Sequence, residues 1–168
     1  MRRRLIASPL LVLALVSCWP TGPPAATPVA CPPLPALRVV GGTVAVPTVV
    51  GSKEWVTSCP GHGTFSSYAA EAMPAALIAG EHDAPTAVSL GATGRLVFDP
   101  APVTGTARLL SWDDQARRYA NVPESLGPDD SFVVPTLPGV YSYGVRADWN
   151  PLPGFQGDVE YGFRIEVR

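Results

Sequence analysis

"VEYGFRIEV", residues 159–167, alternates without a break: Val159, Tyr161, Phe163, Ile165 and Val167 are apolar, with Glu160, Gly162, Arg164 and Glu166 between them. Successive side chains of an extended chain point to opposite faces, so a period of two over this length reads as a β-strand. One face is expected to be buried and the other wet. The stretch "VYSYGVRADW" (140–149) repeats the pattern, with Tyr141, Tyr143, Val145, Ala147 and Trp149 on one face. Between the two lies "NPLPGFQGD", Asn150 to Asp158, rich in turn-forming residues. A long antiparallel hairpin follows.

Upstream, the same reading gives shorter strands in "ALRVVGG" (36–42), "VVGSKEWV" (49–56), "GRLVFDP" (94–100), "GTARLLSW" (105–112) and "SFVVP" (131–135). About seven short strands, with turn signals every 8 to 12 residues, point to an all-β fold, an antiparallel β-sandwich. One stretch departs from it. Ser67 to Gly80, "SYAAEAMPAALIAG", is alanine-rich, with serine at its start and glycine at its end. Pro74 denies it a continuous helix, so two short turns are expected, the second opened by Pro74. This helical insertion is expected to cover an end or edge of the sandwich.

"LPGVYSY" (137–143) resembles the approach to the penultimate strand of immunoglobulin-like domains, where a tyrosine just after a turn bonds back to the backbone. Tyr141 is the matching residue. The resemblance implies an immunoglobulin-like architecture and no particular activity. The paired cysteines and core tryptophan of antibody domains do not occur at their usual spacing.

The chain begins quite differently. Arg2, Arg3 and Arg4 precede a nearly unbroken apolar run from Leu5 to Val16, and small Ser17 leads to Cys18. A cationic start, a short apolar middle and a small-residue junction mark a secretory signal. Twelve residues fall well short of the roughly 20 needed to span a bilayer as a helix. "LVSC" (15–18) resembles the lipobox of bacterial lipoproteins. That resemblance implies cleavage before Cys18, a diacylglyceryl group on its thiol and export to the cell envelope, anchored in the cell membrane or outer membrane. Two or three acyl chains would hold durably, since each buried methylene adds about 0.8 kcal/mol. From Trp19 to Pro35, seven of seventeen residues are proline, which keeps a segment extended and semi-rigid. The expected organisation is a signal at 1–17, a lipidated cysteine with a proline-rich tether at 18–35, and one domain at 36–168.

Charge narrows the partners. The chain carries 12 basic and 14 acidic residues, and loss of the three leading arginines makes the remainder more acidic still. Nucleic acid is therefore not an expected partner. With Cys18 lipidated, Cys31 and Cys59 remain, and an oxidising compartment favours a disulfide between them. Such a bridge would close about 28 residues and contribute roughly 3–4 kcal/mol through the unfolded state.

Chemistry-bearing constellations are sparse. Cys59, His62, His82 and Asp83 contain a Cys-x2-His spacing that suits a metal, but Cys59 has a competing disulfide role and isolated loop histidines are ordinarily solvated. Asp113–Asp114 and Asp129–Asp130 are sequence neighbours whose side chains splay apart, which suits turns better than acid–base work. Ser66, His62 and Asp83 carry no spacing that favours a triad, and no nucleophile elbow or Ser-x-x-Lys is present. The expectation is a non-catalytic envelope lipoprotein without cofactor or metal, presenting its sandwich to an envelope protein, a polysaccharide or a small ligand. A metal-handling or enzymatic lipoprotein built on His62 and His82 is the alternative. Loops carry variable function on such domains, so the hairpin loop, with Phe155 at its tip and Trp149 at its base, is the candidate binding element; the alternative is that Phe155 folds back to cover the open end of the core.

Overall fold

The computed structural model describes residues 33–59, 63–68, 73–150 and 155–168. Eleven strands and one helix are present among them: β1 (Ala36–Gly41), β2 (Val44–Val46), β3 (Val49–Cys59), β4 (Gly63–Tyr68), α1 (Ala75–His82), β5 (Thr86–Val88), β6 (Thr93–Asp99), β7 (Arg108–Asp113), β8 (Arg118–Tyr119), β9 (Ser131–Val133), β10 (Gly139–Asp148) and β11 (Phe155–Val167). The fold is all-β with antiparallel sheets, as the alternation predicts. All seven expected strands form, and β2, β4, β5 and β8 are added to them.

The strands divide into two sheets. One has the order β2-β1-β6-β9. The other has the order β4-β3-β11-β10-β7-β8, with β5 alongside the end of β11 in a parallel pairing. The hairpin at 140–167 forms the middle of the larger sheet, with an unbroken register from Gly139↔Val167 to Asp148↔Asp158. Its apolar face meets the smaller sheet across one core. Phe132 of β9 packs on Tyr143 and Phe163, with ring centroids 6.3 and 6.0 Å away. At the other end of the core, Trp149 is fully buried between Trp55 and Phe98, edge-on to each at about 6 Å. Its indole N–H donates to the Pro100 carbonyl at 3.0 Å. The Tyr161 hydroxyl donates to the carbonyl of buried Pro35, so the last strand holds the residue at which the proline-rich stretch meets the domain.

The second face of the hairpin is wet only towards its ends and is buried in the middle, which corrects the sequence-based expectation there. Ser142, Gly144, Glu160 and Gly162 point away from the core and are nevertheless buried. The cover is α1, which lies on β3, β10 and β11, so the helix shields a sheet face rather than an end or an edge. Close approach requires glycine beneath it: a Cβ on Gly162 would stand 2.0 Å from the Ala75 carbonyl oxygen. Pro74 does open the helix, as its N-cap. Ser67 and Tyr68, expected at a helical turn, end strand β4 instead.

Charge on β11 matches the helix above it. Pro74 offers no side-chain cap, and Glu160 Oε1 accepts the first helical N–H, that of Ala75, at 2.8 Å. At the far end the Arg164 guanidinium donates to the Gly80 carbonyl at 3.1 Å. Four strand residues span about 13 Å and eight helical residues about 12 Å, so one strand reaches both ends of the helix. A carboxylate at the helix N-terminus and a guanidinium at its C-terminus both complement the dipole.

Candidate functional site: a charged cleft on the outer face of the larger sheet

Glu160 is the residue that sequence reasoning missed. Placed on the expected wet face of its strand, it is 5% exposed. Burying a carboxylate is expensive unless its oxygens are bonded. Glu160 meets that need four times over. It accepts from the Ala75 amide and from the Tyr119 hydroxyl at 2.6 Å on one oxygen. On the other it accepts from the Ser52 hydroxyl at 3.1 Å and from Arg146 at 3.3 Å. Tyr119 in turn accepts the Ala76 amide at 3.2 Å, and its ring occupies the space that a Cβ on Gly144 would need. Burial, together with the hydrogen bond to Glu160, holds the Tyr119 phenol well above its ordinary pKa. This network is fully used in holding α1 and β8 to the sheet.

Beside it lies a cleft of about 460 Å³, lined by Glu54, Arg108, Arg146, Asp148, Asn150 and Asp158 among others. Strand register orders these charges. Glu54 pairs with Asp158, which pairs with Asp148, so three carboxylates stand side by side across β3, β11 and β10. Two residues further along the strands, Glu160 pairs with Arg146, which pairs with Arg108. Like charges directly opposite each other on a sheet repel, and both rows contain them. Arg146 is drawn to Glu160, whereas Arg108 donates to the Gly105 and Ala107 carbonyls at 2.5 and 2.9 Å and meets no carboxylate. Among the described residues, no ion pair joins Glu54, Asp148 or Asp158 to either arginine. A second cavity, about 490 Å³, lies at the other end of β11, where Arg168 is its one charged lining residue.

The residues singled out from sequence are scattered. Cys18, Cys31 and His62 lie outside the described residues, so the lipidation, disulfide and histidine-pair expectations fall there. Cys59 ends β3. His82 is exposed in the last turn of α1, with Asp83 as its C-cap. Trp149, expected at the base of the binding loop, is a core residue: its ring is fully buried between Trp55 and Phe98. The backbone of Phe155 opens β11 and pairs with Thr57, and residues 151–154 of the hairpin loop lie outside the described residues. The hairpin end still contributes to the cleft through Asn150, Gly157 and Asp158. Asp113 serves its turn, accepting the Gln115 and Ala116 amides at 2.9 and 2.8 Å. A hydrogen bond from Ser131 lowers the pKa of Asp129, while burial raises that of Asp130.

No family model, curated protein or solved structure matches this chain. Among the described residues, no helix is long and apolar enough to cross a membrane.

Proposed function

We propose that the chain is an exported, lipid-anchored and non-catalytic protein of the bacterial cell envelope, whose immunoglobulin-like domain binds a ligand or partner. The observation that carries the reading is in the sequence: "LVSC" at 15–18 follows a cationic start and an apolar run, and precedes seventeen residues with seven prolines. The fold is consistent with this organisation, because β1 begins at Ala36, directly after the last of those prolines. Support for the immunoglobulin-like class comes from Tyr141. Its hydroxyl donates to the Leu137 carbonyl at 3.0 Å, as the corner tyrosine of such domains bonds back to the backbone. Binding rather than catalysis is favoured because Glu160, the buried carboxylate, is saturated by structural donors, while the carboxylates of the neighbouring cleft, Glu54, Asp148 and Asp158, have no ion-pair partner among the described residues.

Metabolic labelling with a clickable palmitate analogue, followed by membrane fractionation, tests the anchor. The wild-type chain should carry label and sediment with membranes. The Cys18→Ala variant should lose the label and appear either soluble or as an uncut precursor. An unlabelled wild-type chain, or a variant still cut and membrane-bound, would overturn the reading. Whole-cell crosslinking of the anchored protein, read by mass spectrometry, tests the binding part. A discrete crosslinked partner is expected, and its absence counts against a binding protein.

A further inference from the structure

The geometry points to the outer-face cleft as a binding site for a small zwitterion of the short-peptide class, with a free amino terminus and a free carboxyl terminus. This inference rests on the proposed binding function and names the ligand chemistry for one site. It starts from the two charge rows. Glu54, Asp158 and Asp148 form the acidic row, and Arg146 and Arg108 form the basic one, two residues away along the same strands. Two strand residues correspond to about 7 Å.

Each row sets like charges side by side, with Arg146 eased by its ion pair to Glu160 and Asp148 by the Asn150 backbone amide at 2.8 Å. Three carboxylates in register repel, and so do two guanidiniums. The rows attract each other along the strands, yet no described carboxylate of the acidic row comes within ion-pair distance of an arginine. A cleft of about 460 Å³ opens above that separation. A bound ammonium would relieve repulsion among Glu54, Asp158 and Asp148. A carboxylate would find the guanidinium of Arg108, a planar fork suited to two parallel hydrogen bonds, and the outer edge of Arg146. Arg108 is pre-positioned for this by its two bonds to the Gly105 and Ala107 carbonyls.

The spacing selects the ligand. Extended chain rises about 3.3–3.6 Å per residue, so a dipeptide laid along the strands carries its two terminal charges about 7 Å apart. A single amino acid reaches about half that distance, and cannot satisfy both rows at once. A simple dianion or a lone cation matches one row and is repelled by the other. Asn150, also at the cleft, offers a side-chain amide for the peptide bond between the termini, while the Thr106 hydroxyl is engaged by the Val103 carbonyl and the Asp148 backbone.

The test is a titration of the full-length chain in detergent with L-alanyl-L-alanine, followed by amide chemical shifts. Saturable shifts should be confined to residues around Asp148, Asp158 and Arg108. N-acetylation or C-amidation of the dipeptide should each weaken binding about tenfold or more, and free alanine should bind equally poorly. Arg108→Gln should remove the preference for a free carboxylate, and Asp158→Asn the preference for a free amine, with melting temperatures close to wild type in both. A dipeptide that does not saturate by about 10 mM, capped dipeptides that bind equally well, or variants that bind like wild type would each overturn the inference. So would saturation of the acidic row by calcium alone, which would make it a cation site. If the cleft fails while whole-cell crosslinking still yields a partner in Arg108→Gln, the binding function stands and only this site falls.

Discussion

The Tyr119 hydroxyl stands 2.6 Å from Glu160 Oε1 while accepting the amide N–H of Ala76, so one phenol ties the buried carboxylate of the sheet to the first turn of the helix above it. Tyr119→Phe keeps the ring on Gly144 and removes only the oxygen. The Ala76 amide then loses its acceptor and Glu160 one of its donors. A buried group left unbonded costs about 1–3 kcal/mol. Urea unfolding should show a loss in that range, with the slope unchanged. A variant as stable as wild type would show that water replaces the hydroxyl.

Two glycines make opposite predictions for one substitution. At Gly162 a Cβ would stand 2.0 Å from the Ala75 carbonyl oxygen, so Gly162→Ala must push α1 off the sheet. Overpacking of this kind costs about 1–3 kcal/mol. Gly80 lies inside α1, and a Cβ there meets nothing within 4 Å. Gly80→Ala should therefore stabilise the protein by about 0.5–1 kcal/mol, because the alanine chain has less freedom to lose. Thermal melts of the two variants should move in opposite directions.

Trp149→Ala should be among the most damaging single changes, costing about 3–5 kcal/mol, since it empties a fully buried site between Trp55 and Phe98. Trp149→Phe retains much of the ring and loses the bond to the Pro100 carbonyl. It should cost distinctly less. Equilibrium unfolding of both variants checks the order, and a small effect of the alanine variant would contradict the core placement.

Alkali should unfold the domain early. Burial is the leading cause that holds the phenols of Tyr119, Tyr143 and Tyr161 well above the ordinary value of 10.0. Below that pH the phenols are neutral in the folded and the unfolded chain, and burying them carries no charge penalty. As pH rises past it, the unfolded chain ionises while the folded one resists, so stability falls. Melting temperature should drop steeply above about pH 10. Absorbance at 295 nm should show tyrosines that ionise only on unfolding. A full complement titrating in the folded state would refute this.

The seven strands were legible because their alternation is an inner-face signal, carried by residues such as Val39, Leu96, Phe132 and Val145 that one shared core selects. The strands that escaped notice lack it. β2, β5 and β8 are two or three residues long; the equally short β9 was marked by its apolar run "SFVVP". Outer-face burial was illegible for a different reason. Glu160 between two apolar neighbours looks like any solvated strand residue, and only the helix returning above it makes the position buried. The available signals were the glycines at 144 and 162, directly paired across the hairpin, which leave room for something to lie on the sheet. The charge rows of the cleft are similarly hidden, because Glu54, Asp158, Asp148 and Arg108 are distant in sequence and meet only through register. Trp149 borders the loop in sequence, and its side chain follows the strand period into the core, as its place on the apolar face of "VYSYGVRADW" predicts.

The bond from Tyr161 to the Pro35 carbonyl gives the domain a defined point of mechanical loading. A pull on the residues before Leu34, directed along β1, meets first the Tyr161 hydroxyl and then the ladder from Ala36↔Asp99 to Gly41↔Gly94, along with the shorter one to β2. Those ladder bonds run across the strand, so such a force loads them together, in shear, and cannot peel them one at a time. Drag from the chain's surroundings would thus be borne chiefly by the strand between β2 and β6, with β11 engaged through the single Tyr161 hydroxyl and no ladder bond of β10 or β11 pulled directly.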